Sequence, residues 1–194
     1  MKRICRYLRG TKDNGLMFNP SKKLVVDCYS DAYFARLWGH ENPQDHIFAR
    51  SRTGFVVTFA NFPLLWMSKL QTEIALSKLH TEYVALSHSV RALLPLKSPF
   101  KEVIDNLVID NENLKFMSSS TIYEDNNGFI VVATSPRMTP TSKHISVKYH
   151  WFRQHVEKEF VIRKIESENQ KADIFTKGLQ GQIFVIIRKL LCGW

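Results

Sequence analysis

The sequence predicts an α/β domain, and three features carry that expectation. Branched, apolar runs of strand length alternate with helical stripes, three of the runs follow one another with short connections, and two of them end abruptly in a carboxylate. Val-rich runs of about four to eight residues bounded by polar clusters pack well on a pleated sheet, because branched side chains are already restricted about their first torsion. The organising stretch is Leu24-Val25-Val26-Asp27-Cys28-Tyr29-Ser30-Asp31-Ala32. It reads as a buried strand that delivers Asp31 to the sheet edge, where ligands of open α/β sheets collect.

Composition narrows the class. A chain of 194 residues, 44% hydrophobic and 23% charged, can bury one ordinary core. No apolar run approaches the roughly 18 residues needed to span a bilayer, and the basic start leads into no signal-peptide core, so a cytoplasmic or nuclear setting is expected and a membrane is not. Twenty-seven Lys and Arg against 18 Asp and Glu leave a formal charge of +9, which favours a polyanionic partner through counterion release. Cys5, Cys28 and Cys192 are odd in number and widely spaced, which suits free thiols in a reducing compartment and argues against a structural zinc site.

In order along the chain, Lys2 to Gly10 reads as the last turns of a basic helix closed by glycine, its pattern already running at the first residue, as expected of a piece of something longer. After the turn at Asn19-Pro20 comes the strand to Asp31, then a polar surface excursion over residues 36 to 50. Arg52 to Phe59 is a second strand, Ala60-Asn61-Phe62-Pro63 a tight reversal, and Leu64-Leu65-Trp66 the beginning of a third strand running to about Ala75. Such short connections imply an antiparallel meander.

Ser77 is a good N-cap for a helix whose stripe is Leu79, Tyr83, Leu86, Val90 and Leu93, with Pro95 marking its end. Glu82 lies at the border of that stripe, one turn from Leu79 and Leu86. Asp105 to Asn113 is turn-like; a fourth strand near Thr121-Ile122-Tyr123 ends at Glu124-Asp125, and Asn126-Asn127-Gly128 opens a short helix. Ser135-Pro136 and Thr139-Pro140 make a rigid loop exposing Arg137 and Lys143. Ile145, Tyr149, Phe152 and Val156 form another helical stripe, and the spacing of His144, His150 and His155 matches no zinc box. Phe160 to Ile165 is a fifth strand, Asp173 stands in the first turn of a following helix, and Gln182 to Leu191 packs as a closing helix.

Asp31, Glu82, Asp125 and Asp173, on two strand ends and two helices facing the sheet, could converge on one point. Carboxylates gathered in a partly dry site repel one another and need cations. Mg²⁺, or Mn²⁺, suits such a cluster, and a pair of ions roughly 4 Å apart suits hydrolysis of a phosphodiester. The basic surface fits that polyanionic substrate.

The wording of these motifs resembles a known family. Tyr29-Ser30-Asp31-Ala32, Ser51-Arg52-Thr53-Gly54-Phe55, Ala75-Leu76-Ser77 running to Thr81-Glu82-Tyr83, Asp125-Asn126, Thr141-Ser142-Lys143-His144-Ile145 and Lys171-Ala172-Asp173-Ile174-Phe175-Thr176-Lys177 fall in the order found in the ribonuclease H domain at the end of copia-type retrotransposon Pol polyproteins. The resemblance covers residues 1–194. It implies a ribonuclease H-like fold, a five-stranded mixed sheet flanked by helices, in which Asp31, Glu82, Asp125 and Asp173 are the divalent-metal ligands. It also implies endonucleolytic cleavage of the RNA strand of an RNA–DNA hybrid during reverse transcription. Residues 1–20 would then be the basic tail of a preceding reverse transcriptase, itself a partner, with residues 21–180 the nuclease domain and 181–194 a terminal helix. Arg52, Thr53, Asn126, Lys143, His144, Lys148 and Gln170 are candidates for contact with the hybrid.

Some positions depart from the family pattern. His80 stands where these elements often carry Glu, Tyr33 and Arg36 replace an acidic residue and a glycine, and residues 166–170 hold no His of the kind that shuttles protons in cellular relatives, leaving Glu168 as a weak substitute. A Tyr followed by an Asp-Asp pair is absent, so polymerisation by this chain is not expected. An alternative is an inactive or domesticated copy acting as a nucleic-acid-binding module. A transposase or integrase core would share the fold and the acidic cluster, but not this order of motifs.

Overall fold

A computed structural model describes residues 2–35, 49–106, 115–117, 119–135 and 150–194, with backbone alone for 115–117. The elements are α1 (Lys2–Gly10), β1 (Lys23–Tyr33), β2 (Arg52–Phe59), β3 (Phe62–Leu70), α2 (Lys78–Asn106), β4 (Lys115–Met117), β5 (Ser120–Glu124), α3 (Asn127–Thr134), β6 (Phe160–Lys164), α4 (Asp173–Thr176) and α5 (Gly181–Cys192).

The expected mixed sheet is present, in the order β3-β2-β1-β5-β6. β1, β2 and β3 form the antiparallel meander, reversed at Ala60 and Asn61, which both take positive φ. β5 adds to β1 in parallel, with Cys28 opposite Ile122, and β6 adds in parallel to β5. The short β4, which the sequence reading passed over, pairs in parallel with Lys23 to Val25 at the start of β1. β3 ends at Leu70 and not near Ala75, because its partner residue on β2 is Arg52, the first of that strand. Beyond Leu70 the pairing dwindles to one backbone bond, from Gln71 N to the Ser51 carbonyl at 2.8 Å.

Both faces of the sheet are covered, which is why β1 and β2 read as nearly continuous apolar runs. On one face Val26, Cys28, Phe55, Val57 and Ile122 pack with Tyr83, Leu86, Val90 and Leu93 of α2 and Phe129 of α3. On the other, Tyr29 and Val56 pack with Ala172 and with Ile187 and Leu191 of α5. Side chains on a strand alternate between faces, so adjacent residues of β1 serve different cores.

The α2 start is as expected: Ser77 Oγ accepts from His80 N at 3.1 Å. Its end is not, since the helix passes Pro95 and Pro99 and continues to Asn106. Both prolines are exposed. The carbonyls that lose their helical partners therefore face water, where a long helix tolerates the interruption best. α3 opens where expected, and Asn126 caps it, its Oδ1 accepting from Phe129 N at 3.1 Å. The helix expected through Ile145, Tyr149, Phe152 and Val156 lies partly outside the described residues; within them, Trp151–His155 is a 3-10 turn and Val156 bridges to Phe160.

Candidate active site

Strand register brings the first two carboxylates together. β1 and β5 are neighbours in parallel, with Cys28 opposite Ile122 and Tyr29 opposite Tyr123. Continuing that register puts Asp31 level with Asp125 at the carboxyl end of the sheet. Two residues earlier, on the face shared with α5, the rings of Tyr29 and Tyr123 stack with centroids 4.7 Å apart. Asp27 adds a brace between the strands, its Oδ1 accepting from Thr121 N at 2.7 Å.

Asp173 arrives from the first turn of α4. Carboxylate oxygens of Asp31, Asp125 and Asp173, one from each, all lie within 4.8 Å of one another. Glu82 comes from α2, in the opposite layer, and lines the same cavity of about 310 Å³ together with Asp31, Asp125, Asn126, Lys78 and Lys177. Three of the four expected acids, Asp31, Asp125 and Asp173, thus lie together at one sheet end, and Glu82 lines the cavity that Asp31 and Asp125 share.

Several neighbours hold this arrangement. Thr176 Oγ1 donates to Asp31 Oδ2, and Ser167 Oγ donates to Asp125 Oδ2 at 2.8 Å. Lys177 Nζ stands 2.8 Å from Asp173 Oδ1 and 3.3 Å from Asp31 Oδ1. The pairing with Asp173 follows from the four-residue spacing, whereas that with Asp31 comes from the seat of α4 on the sheet.

That seat depends on Gly54, directly opposite Asp31 on β2. A Cβ at this position would come within 2.6 Å of Thr176 Cγ2 and 2.9 Å of Phe175 Cβ. Only glycine lets the helix bearing Asp173 lie so close to the sheet. Ser68 Oγ of β3 also donates to the Phe175 carbonyl.

The electrostatics are those of acids crowded out of water. Burial pushes the Asp31 carboxyl up, with Lys177 and the Thr176 hydroxyl pulling against it. Burial and then repulsion from Asp31 raise Asp173 to about 6 despite Lys177. Glu82 is raised well above the usual carboxylate range by burial first and then by the charges of Glu124, Asp31 and Asp125. Glu124, at 0% exposure on the α2 face of β5, is raised well for the same leading reason, although the Asn126 amide donates to it. Glu82 Oε2 and Glu124 Oε2 are buried with no hydrogen-bond partner among the described residues. A divalent cation suits these donors: hard carboxylate oxygens, negative charge in excess, and an orphaned acceptor in the cavity wall.

The expected hybrid contacts divide. Thr53 is 1% exposed and accepts from Gln71 Nε2 at 3.0 Å. Gln170 is 0% exposed; its amide donates to the carbonyls of Ser30 at 2.9 Å and Tyr123 at 3.3 Å and accepts from Ala172 N at 3.3 Å. Neither can meet a nucleic acid, and Gln170 instead ties the loop before α4 to β1 and β5. Arg52 is half-buried at the sheet end that carries Asp31, with Nη1 donating to Ser68 Oγ. Asn126 lines the cavity with its oxygen already committed to the α3 cap. Lys143, His144 and Lys148 lie outside the described residues.

His80 closes the α2 start, its Nδ1 accepting from Leu76 N at 3.4 Å. Glu168 lines an adjoining cavity with Asp173 and Lys177. Sequence reasoning missed Lys177, Ser167 and the functional proximity of Glu124. The spacing from Asp173 pointed to Lys177, and Glu124 was visible only as the neighbour of Asp125.

No protein-family model matches the chain. Over 192 residues it is 29% identical to the retrovirus-related Pol polyprotein from transposon TNT 1-94 of Nicotiana tabacum, covering 98% of this chain and 13% of that protein. Over 185 residues it is 27% identical to the corresponding polyprotein from transposon RE2 of Arabidopsis thaliana, covering 95% of this chain and 12% of that one. The chain thus spans about an eighth of the length of these curated relatives. Among solved structures it is similar to a ribonuclease H1 isolated from compost by a metagenomic approach, with TM-score 0.50, 18% identity, and 80% and 93% of the two chains covered. It is also similar to the N-terminal ribonuclease H domain of a Mycobacterium tuberculosis protein, with TM-score 0.51, 11% identity, and 79% and 91% covered. At such identities the likeness to these structures is one of fold.

Proposed function

We propose that this chain, a homologue of retrotransposon Pol polyproteins with a ribonuclease H fold, is a nuclease that hydrolyses the RNA strand of an RNA–DNA hybrid during reverse transcription. The observation that carries the reading is the convergence of Asp31, Asp125 and Asp173 within 4.8 Å. Glu82 adds, to the cavity that Asp31 and Asp125 line, a buried oxygen with no hydrogen-bond partner among the described residues.

In this reading Asp31, Glu82, Asp125 and Asp173 hold Mg²⁺ or Mn²⁺, as two ions. Bound there, divalent cations lower the pKa of an attacking water and offset charge on the leaving oxygen. The chain's own residues supply position. Thr176 and Ser167 fix the Asp31 and Asp125 carboxylates by hydrogen bonds, and Gln170 fixes the loop that carries α4. Asp125 is the least buried of the aspartate trio and so the one most open to a substrate. Arg52, Asn126, Lys143, His144 and Lys148 contact the hybrid backbone, and the net charge of +9 draws it in.

Residues 21–180 form the nuclease domain, residues 1–20 end a preceding reverse transcriptase, and residues 181–194 close the unit. Burial of Ile187 and Leu191 against the sheet supports the last assignment. The setting is intracellular, cytoplasmic or nuclear, which suits the free cysteines. Among the described residues no helix is long and apolar enough to cross a membrane.

The test is incubation of purified protein with a labelled RNA–DNA hybrid and Mg²⁺ or Mn²⁺ beside an Asp125→Asn variant. Cleavage of the RNA strand by the first protein and not the second is expected. Binding of the hybrid without cleavage by either would overturn the nuclease reading in favour of a binding module.

A further inference from the structure

We infer that Lys177 is a resident counter-cation of the carboxylate cluster, whose ammonium holds the place between Asp31 and Asp173 in the metal-free protein and yields it when a divalent ion binds. The inference rests on the nuclease reading above, and it concerns what competes with the metal.

The geometry is that of a shared seat. Lys177 Nζ lies 2.8 Å from Asp173 Oδ1 and 3.3 Å from Asp31 Oδ1. Both residues belong to the trio whose oxygens lie within 4.8 Å of one another. A divalent ion drawn to the same carboxylates would need their lone pairs at about 2.0–2.6 Å, shorter than an ammonium contact. Two cations on one pair of oxygens also repel each other. The ion and the ammonium therefore exclude one another from this pair.

A single monovalent charge does not satisfy the cluster. Glu82 is 6% exposed, and among the described residues its Oε2 has no hydrogen-bond partner; it lines the cavity that Lys177 also lines. An acceptor so placed calls for a cation that reaches further into the cavity than an ammonium anchored on the α4 side.

Lys177 also has somewhere to go. Its side chain is 31% exposed and lines a second cavity of about 430 Å³, shared with Tyr33, Ser167 and Glu168, as well as the one above the cluster. Rotation of its flexible stem carries the ammonium outward with no change to the Lys177 backbone, whose amide stays bound to the Asp173 carbonyl at 2.8 Å. The device keeps four acids tolerable before metal arrives and weakens metal binding by the competition it imposes.

The test is a calorimetric Mn²⁺ titration of the full chain at fixed pH and ionic strength, comparing the unmodified protein with Lys177→Gln, Lys177→Arg and a charge-only control, Lys101→Gln, on the exposed far part of α2. Lys177→Gln should bind Mn²⁺ at least about tenfold tighter, while Lys177→Arg and Lys101→Gln stay within about twofold of the unmodified protein. Unchanged or weaker binding by Lys177→Gln, with the unmodified protein still binding, overturns the role of Lys177 and leaves the nuclease reading standing. Failure of both to bind Mn²⁺ overturns the two readings together. Should Lys177→Gln not fold, lysine side-chain NMR of the unmodified protein decides. The Lys177 signal, identified by its loss in Lys177→Arg, should move on saturation with Mg²⁺, and an unmoved signal overturns the inference.

Discussion

Gly54→Ala is a one-atom test of how the site is assembled. In an ordinary strand this change stabilises by about 0.5–1 kcal/mol, because the unfolded chain loses freedom. Here the new methyl would sit 2.6 Å from Thr176 Cγ2, 2.9 Å from Phe175 Cβ and 3.2 Å from the Ala172 carbonyl. Carbon atoms pack at about 3.5–4.0 Å, so α4 must retreat from β2 by roughly 1 Å. Overpacking of that kind costs about 1–3 kcal/mol, which set against the entropic gain leaves a net loss of up to about 2.5 kcal/mol. The retreat also carries Asp173 and Lys177 away from Asp31. Urea unfolding should show the lost stability as a lower midpoint at unchanged slope. Mn²⁺ titration should show weakened affinity, and hybrid cleavage should fall with it. A variant as stable as the original, with the same Mn²⁺ affinity, would refute the claim that close contact between β2 and α4 positions Asp173.

Other expected outcomes concern the groups around the cluster. Gln170→Ala strands the carbonyls of Ser30 and Tyr123 and should lower stability by about 2–4 kcal/mol in a urea melt, with no separate loss of hybrid affinity in the folded fraction. Ser167→Ala removes the 2.8 Å bond that orients Asp125 and should slow cleavage about tenfold while barely moving the thermal midpoint. The raised carboxyls give a pH signature. Native Asp31, Glu82, Glu124 and Asp173 hold protons more tightly than the unfolded chain, so their stabilisation is full below the ordinary carboxylate range and is lost as pH rises through the Asp173 value of about 6 and the higher native values. Calorimetric scans of metal-free protein between about pH 5 and 8 should therefore show a falling midpoint, flattened by saturating Mg²⁺ and by Glu124→Gln. A midpoint that climbs steadily over that range would contradict the assigned directions.

How much of this was legible beforehand varies by residue. Asp31 and Asp125 could be read because each follows an apolar run, and the end of a strand is marked by composition. Asp173 and the opening of α3 at Asn126 could be read because helix starts have local signatures. Glu82 was visible as an acid at the edge of an apolar stripe. Thr53 and Gln170 were misread for one shared reason: a polar side chain looks solvent-facing in sequence, yet each is buried and hydrogen-bonded to distant segments. Pro95 was taken as a stop, although its effect depends on which side of the helix faces water. The early end of β3 depended on where its partner β2 begins.

The order of the five main strands, the excess of positive charge and the candidacy of Asp31, Asp125 and Asp173 were written in the chain, because each rests on periodicity, capping or residue type within a few neighbouring positions. Their meeting at one end of the sheet was not, because it depends on parallel register between β1 and β5 and on the close seat of α4 over Gly54. Lys177 shows the division within one side chain. Its contact with Asp173 follows from four residues of helix, while its contact with Asp31 bridges segments 146 positions apart and exists only once the sheet and α4 are packed.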